Sequence, residues 1–158
     1  MATVVRLETV VDLDVPDNGI VGAGRVADEP RMPAGEARPG LWPGPRPVRD
    51  PSRVSVSATL SAVLDDGRRL TLLDDRGWGS TGHWDTTTVE EIEDTARTVV
   101  GPDEPVEGQT YDEMAAAHYA YLVAILDRQG VISDTGTLRS IPHDVVLTER
   151  LRARVTRA

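Results

Sequence analysis

Apolar and polar residues alternate near the start of the chain, and this period of two predicts a first β-strand over residues 3–15. The apolar positions share one face of that strand: Val5, Leu7, Val11, Leu13 and Val15. The polar positions share the other: Arg6, Glu8, Asp12 and Asp14. A turn signal at residues 16–19 follows, and residues 20–26 predict a return strand that Gly22 and Gly24 weaken.

The clearest alternation runs over residues 52–64. Six apolar side chains point one way: Val54, Val56, Ala58, Leu60, Ala62 and Leu64. Hydroxyl residues point the other way: Ser55, Ser57, Thr59 and Ser61. The triplet Asp65-Asp66-Gly67 is typical of a tight hairpin turn, so residues 68–74, with Leu70, Leu72 and Leu73, are predicted to return as a strand.

A helical period replaces the alternation after residue 86. Thr87 and Glu90 have the spacing of a capping box, which predicts a helix with a buried stripe of Val89, Ile92, Ala96, Val99 and Val100. A second box, Thr110 with Glu113, predicts a helix that ends near Gln129. This second helix is apolar over much of its circumference, and we interpret it as a central helix buried across the sheet.

The C-terminal residues 145–156 fit two periods. Alternation of apolar residues with arginines favours a strand, whereas the spacing of Leu147, Leu151 and Val155 also fits a helix. In the strand interpretation, which we prefer, Arg150, Arg152 and Arg154 would form a cross-strand charge ladder with Glu8, Asp12 and Asp14.

The order of elements predicts an α+β fold, with a mainly antiparallel sheet of about five strands and two helices packed on it. The length of 158 residues fits a single domain over residues 1–158. Within it, residues 27–51 contain seven prolines, which predicts a Pro-rich surface loop. That loop is either a plain spacer, pinned by Trp42, or a ligand for a proline-binding module.

Charge is unevenly distributed along the chain. There are 26 acidic residues and 17 arginines with no lysine, and residues 65–113 alone carry 14 acids and 4 arginines. Such a surface disfavours nucleic acid and favours a basic protein partner, although a solubilising role is the simpler alternative. The absence of cysteine excludes disulfides and thiol chemistry. No apolar run approaches bilayer length, so we expect a cytoplasmic protein without a membrane partner.

Residues 75–85 are the segment most like a binding site, because tryptophan, histidine and hydroxyl groups lie in a glycine-rich stretch between a strand and a helix. The predicted partner-binding surface joins this stretch to the first turns of the following helix. Its members are Trp78, His83, Trp84, Asp85, Glu90, Glu91, Glu93 and Asp94. In the alternative interpretation, both tryptophans pack under the sheet and clamp the segment.

Other candidate chemistry is weak. The glycines of residues 19–24 lack dinucleotide-binding spacing, and the acidic pairs 65–66 and 74–75 are typical of turns. His83, His118 and His143 share no metal-ligand spacing. The sequence therefore predicts no catalytic residue, metal or cofactor, and it leaves the oligomeric state open.

The leading hypothesis is an acidic cytosolic protein-binding domain, of the inhibitor or immunity-protein kind, that covers a basic partner surface. One alternative is a small-molecule or metal-dependent enzyme that uses the 75–85 loop, with His83 as base and Asp85 orienting it. The other is a structural or assembly subunit whose Pro-rich loop reaches a neighbouring chain.

Overall fold

The computed structural model describes residues 2–14 and 53–156. The strands are β1 (Val4–Leu13), β2 (Arg53–Leu64), β3 (Arg69–His83) and β4 (His143–Leu147). The helices are α1 (Val89–Val99), α2 (Tyr111–Arg128), α3 (Thr135–Ser140) and α4 (Glu149–Thr156), with a short 3-10 turn over Trp84–Thr86. The predicted strand over residues 20–26, the loop over residues 27–51 and Trp42 lie outside the described residues.

The strands form one mixed sheet in the order β3-β2-β1-β4. β1 and β3 both pair antiparallel with β2, whereas β4 pairs parallel with β1. The α+β class is confirmed, but the described residues contain four strands rather than about five, and four helices rather than two. The parallel pairing arises because the chain crosses from β3 to the far edge of β1 through α1, α2 and α3, and parallel strands need such a crossover.

The β2–β3 hairpin turn agrees with the prediction. The Leu64 amide donates to the Arg68 carbonyl over 2.9 Å, and the Gly67 amide donates to the Leu64 carbonyl over 3.0 Å. Gly67 has a φ of +84°, in a region that side chains with a Cβ rarely adopt. The local sequence Asp65-Asp66-Gly67 is therefore sufficient to define this turn.

The predicted loop over residues 75–85 is wrong, because β3 continues to His83 and passes directly into the 3-10 turn. The first half of β2 supplies the pairing partner: Ala58 lies opposite Arg76, Val56 opposite Trp78 and Ser55 opposite Gly79. Gly77, one of the glycines that suggested a loop, instead permits a close approach of the two strands. A Cβ added to Gly77 would lie 2.6 Å from the Val56 carbonyl oxygen.

The first strand contains an irregularity that alternation alone does not reveal. Its pairing with β2 shifts between Val4 and Arg6, as at a β-bulge. Val4 is consequently buried, whereas Val5, which was placed on the core face, is 44% exposed. From Leu7 onward the predicted core face is correct, since Leu7 and Val11 are buried.

The α1 capping box lies one residue later than predicted. The Glu91 amide donates to Thr88 Oγ1 over 3.2 Å, and the Thr88 amide donates to Glu91 Oε2 over 2.8 Å. Thr87 instead donates its hydroxyl to the His83 carbonyl over 2.9 Å, which closes the preceding turn. The Thr110–Glu113 box at the start of α2 is as predicted.

Thr88→Ala should lower the free energy of unfolding by roughly 0.5–2 kcal/mol, because an orphan amide of the first helical turn would lose its acceptor. Chemical denaturation followed by circular dichroism measures this change. Thr88→Ser keeps the acceptor and is the control that should remain close to wild type. Equal stability of the alanine variant and wild type would contradict the cap.

The interpretation of α2 as a helix buried over much of its circumference is wrong, although it does pack on the sheet. Only Leu122, Ile125 and Leu126 are buried, and the opposite side of the helix faces solvent. Its buried side lies in one core cluster with residues of β1, β2 and β3, α2 also contacts α3, and Gln129 after its C-terminal end donates to the Thr71 carbonyl of β3. A helix that lies on one face of a sheet is covered on one side only, so the high apolar content of α2 does not reflect burial on all sides.

The preferred strand over residues 145–156 is correct only as far as Leu147. Thr148 then starts α4 by accepting the Leu151 amide at its hydroxyl, over 3.3 Å. Leu147, Leu151 and Val155, the positions of the alternative helical spacing, are all buried. The predicted arginine ladder is wrong because the arginines lie on α4, although Arg150 still contacts Asp12 over 3.3 Å.

Candidate functional site

The predicted partner-binding residues lie on three consecutive elements: the C-terminal part of β3, the 3-10 turn and the first half of α1. The two tryptophans contribute to the core. Trp84 is buried in a cluster with Val54, Ile92 and Leu151, and half-buried Trp78 packs against this cluster and against the second one. The guanidinium carbon of Arg154 lies 5.9 Å from the Trp84 ring centroid. Trp84 therefore holds the turn in place.

His83 and Asp85 are exposed and flank Trp84. The His83 carbonyl accepts hydrogen bonds from the hydroxyls of Thr86, over 3.1 Å, and Thr87, over 2.9 Å. These bonds keep the segment compact between strand and helix. The enzyme hypothesis relied on a loop here, and strand and turn occupy that part of the chain instead.

The four acids of α1 do not all play the same role. Glu91 belongs to the capping box, while Arg97 contacts Asp94 over 3.2 Å and Glu93 over 3.9 Å. Glu90 is exposed, and none of the described arginines lies within ion-pair distance of it. Because residues four apart share a helix face, Glu90 and Asp94 project together toward solvent.

The four arginines of the acidic segment 65–113 are all paired. Arg68 contacts Asp66 over 2.8 Å, Arg69 contacts Glu8 over 2.8 Å and Arg76 contacts Asp103 over 3.0 Å. Arg97 serves α1. In contrast, nine exposed acids of this segment have no arginine within ion-pair distance among the described residues: Asp65, Asp74, Asp85, Glu90, Glu91, Glu104, Glu107, Asp112 and Glu113. The outward charge of the segment is therefore negative.

The other two histidines lie apart from the predicted surface. On α2, His118 is half-buried, and this burial together with Arg76 lowers its pKa. On β4, His143 places Nε2 2.8 Å from Thr9 Oγ1, and burial and Arg97 lower its pKa. In the described ranges 2–14 and 53–156, no three His, Asp or Glu side chains are grouped to hold a metal ion.

Sequence reasoning missed the Thr9–His143 contact and a depression of about 370 Å³ beside β2 and β3. The sequence does contain a signal for the Thr9–His143 contact. Thr9 occupies a core-facing position between Leu7 and Val11, so its hydroxyl needs a polar partner. The depression depends on strand pairing that the sequence did not reveal. Its polar lining and glycines are Asp14, Ser55, Ser57, Asp75, Arg76, Gly77 and Gly79.

Glu8 is a buried carboxylate on the predicted polar face of β1. Its hydrogen bond with Arg69 Nε, over 2.8 Å, is the main cause that lowers its pKa below the ordinary 4.5, against the opposing effect of burial, and Arg6 also contributes. A lowered folded-state pKa stabilises the protein above the unfolded pKa. That contribution is lost as the pH falls through the folded pKa.

Glu8→Gln should therefore destabilise the protein at neutral pH, and the difference from wild type should shrink once the pH falls below about 4.5. Denaturant titrations across this pH range measure it. Glu104→Gln, at an exposed acid with no arginine partner among the described residues, is the control. A difference that stays constant with pH would contradict the assigned Glu8–Arg69 ion pair.

Among the described residues, no helix is both long and apolar enough to cross a lipid bilayer. No protein-family model matches the chain, and no curated protein or solved structure is significantly similar to it.

Proposed function

We propose that the chain is an acidic cytosolic protein-binding domain that covers a basic surface of a partner protein, in the manner of an inhibitor or immunity protein. One observation carries the proposal. Every arginine of residues 65–113 is engaged by a carboxylate of the same chain, while nine exposed acids of that segment have no arginine partner among the described residues. Residues 65–113 thus present negative charge to the solvent.

The proposed contact surface starts at the end of β3 and continues onto α1. His83, Asp85 and the acids Glu90, Glu91, Glu93 and Asp94 would meet the partner. Trp78 and Trp84 would support this surface from beneath, because both pack against the core cluster that holds Leu151. A turn and a helix fixed on a packed core present their charges in a defined geometry, which reduces the ordering cost of binding.

The partner is expected to present arginine or lysine at the contact. Complementary potentials accelerate encounter and disfavour wrong partners, and mutation of a peripheral charge acts mainly on the association rate. Repulsion between this surface and phosphate groups disfavours a nucleic acid.

Affinity capture of the tagged protein from cells of its own host, followed by mass spectrometry, tests the proposal. The captured protein is then purified for binding measurements with a triple variant, Asp85→Asn, Glu90→Gln and Asp94→Asn. We expect affinity to fall by at least about tenfold, mostly through slower association and most strongly at low salt.

A matched triple variant separates this surface from net charge. Asp74→Asn, Glu104→Gln and Glu107→Gln remove the same charge from other exposed positions. Binding of this control should remain close to wild type. Equal losses in both triple variants, or capture of no protein with a basic surface, would overturn the proposal.

A further inference from the structure

The solvent-facing side of α2 carries charge only at its two ends. Residues three and four apart share a helix face, and this exposed face, here called the α2 face, consists of Glu113, Ala117, Ala120, Tyr121, Ala124 and Arg128. It lies opposite the buried Leu122 and Leu126. From residue 114 to residue 126 the helix contains no acid and no arginine. A helix that is apolar all round is typically covered all round, whereas the α2 face has no neighbour among residues 2–14 and 53–156.

One large hydrophobic side chain of the α2 face is exposed, Tyr121 at 55%. It lies among the exposed Ala117, Ala120 and Ala124, so the middle of the face is apolar. A contiguous exposed apolar patch marks an interaction surface, whereas scattered single residues do not.

The α2 face is symmetric about the point between Ala120 and Tyr121. In an antiparallel pair with a two-fold axis at that point, Ala120 and Tyr121 of both copies meet at the axis, and Ala117 of one copy lies level with Ala124 of the other. At the ends, Glu113 of each copy lies level with Arg128 of the other, so opposite charges meet there, beside the exposed Asp127. We propose that a second copy of this chain covers the α2 face and that the protein forms an antiparallel, two-fold homodimer through it.

The charged ends have the partners that this pairing requires. Both side-chain hydrogen bonds of the capping box use Oε2 of Glu113, so its second oxygen can accept from Arg128 of the other copy. Arg128 is exposed and has no carboxylate within ion-pair distance among the described residues, in a chain of net charge −9. A self-complementary patch is also what a two-fold interface demands.

The proposed dimer is weak and reversible. Three alanines in the face allow the helix axes to approach to the short end of the usual range of about 8–10 Å. The face is about 22 Å long at 1.5 Å per residue, on a helix about 10–12 Å across. The area of such a face is smaller than that of a standard interface, roughly 800 Å² per partner. The net charge of each copy opposes association, so the dimer population should depend strongly on protein concentration.

Sedimentation over a concentration series measures the association. Wild type should show a reversible monomer–dimer equilibrium. Ala120→Glu places two carboxylates near the two-fold axis and should weaken the dimer by at least about tenfold. Ala153→Glu, the same change at an exposed alanine of α4, is the matched control and should associate like wild type. A wild-type protein that is monomeric throughout, or equal association of Ala120→Glu and wild type, would overturn the proposal.

A charge swap tests the antiparallel register. Arg128→Glu should weaken association, because it sets like charges opposite each other at both ends. The double variant Glu113→Arg/Arg128→Glu should recover it, since the swapped pair is again complementary. Loss of the α2 cap in the double variant affects thermal unfolding, which circular dichroism follows separately, while sedimentation reports association. Failure of the double variant to recover would refute this register.

Discussion

Replacement of Leu151 by alanine should lower the free energy of unfolding by about 2–5 kcal/mol, the range for a buried leucine that leaves a cavity. Leu151 is fully buried on α4 and shares a cluster with Val11, Trp84 and Ile92, which belong to three other elements. None of these neighbours can fill the space without moving a strand, a turn or a helix. Urea denaturation of the variant and wild type measures the loss.

Arg150→Ala is the matched control for this experiment. Its guanidinium contacts Asp12 over 3.3 Å and is largely exposed, so removal should cost less than about 1 kcal/mol. The pair of variants thus distinguishes apolar docking of α4 from attachment by charge. A Leu151→Ala variant as stable as Arg150→Ala would show that α4 does not pack on the sheet.

Local patterns were sufficient for the elements that depend on local contacts. The strand over residues 52–64 and the Asp65-Asp66-Gly67 turn follow from alternation and from a backbone position that favours glycine. The C-terminus was ambiguous for a physical reason. β4 is only five residues long and α4 follows after one residue, so a single stretch of sequence contains both periods. Of the buried residues with helical spacing, Leu147 belongs to β4, whereas Leu151 and Val155 belong to α4.

Elements that depend on distant partners could not be predicted in this way. The parallel pairing of β4 with β1 results from the crossover, which no local signal encodes. The candidate site has the same limitation. The excess of acid is visible in the sequence, but which acids remain without a partner depends on contacts such as Arg69 with Glu8, 61 residues away, and Arg76 with Asp103, 27 residues away.

The extension of β3 is the clearest case, and Gly77 provides its test. Gly77→Ala should destabilise the protein by about 1–3 kcal/mol, the usual cost of forcing an extra group into a packed site. The added Cβ would lie 2.6 Å from the Val56 carbonyl oxygen and 3.3 Å from the Ser57 Cα. Both are backbone atoms of a paired strand, so relief requires the two strands to separate.

Gly79→Ala supplies a control two residues further along the same strand. Its Cβ would lie 3.7 Å from the Val54 carbonyl oxygen, an ordinary van der Waals distance. This substitution should be neutral or stabilising by about 0.4–1 kcal/mol, because alanine restricts the unfolded chain.

Trp78 lies between the two glycines and packs against both core clusters. Separation of the strands should therefore change the near-ultraviolet circular dichroism of Gly77→Ala and leave that of Gly79→Ala unchanged. If the two variants are equally stable with equal spectra, residues 77–79 do not pair with β2 and the loop predicted from the sequence is correct.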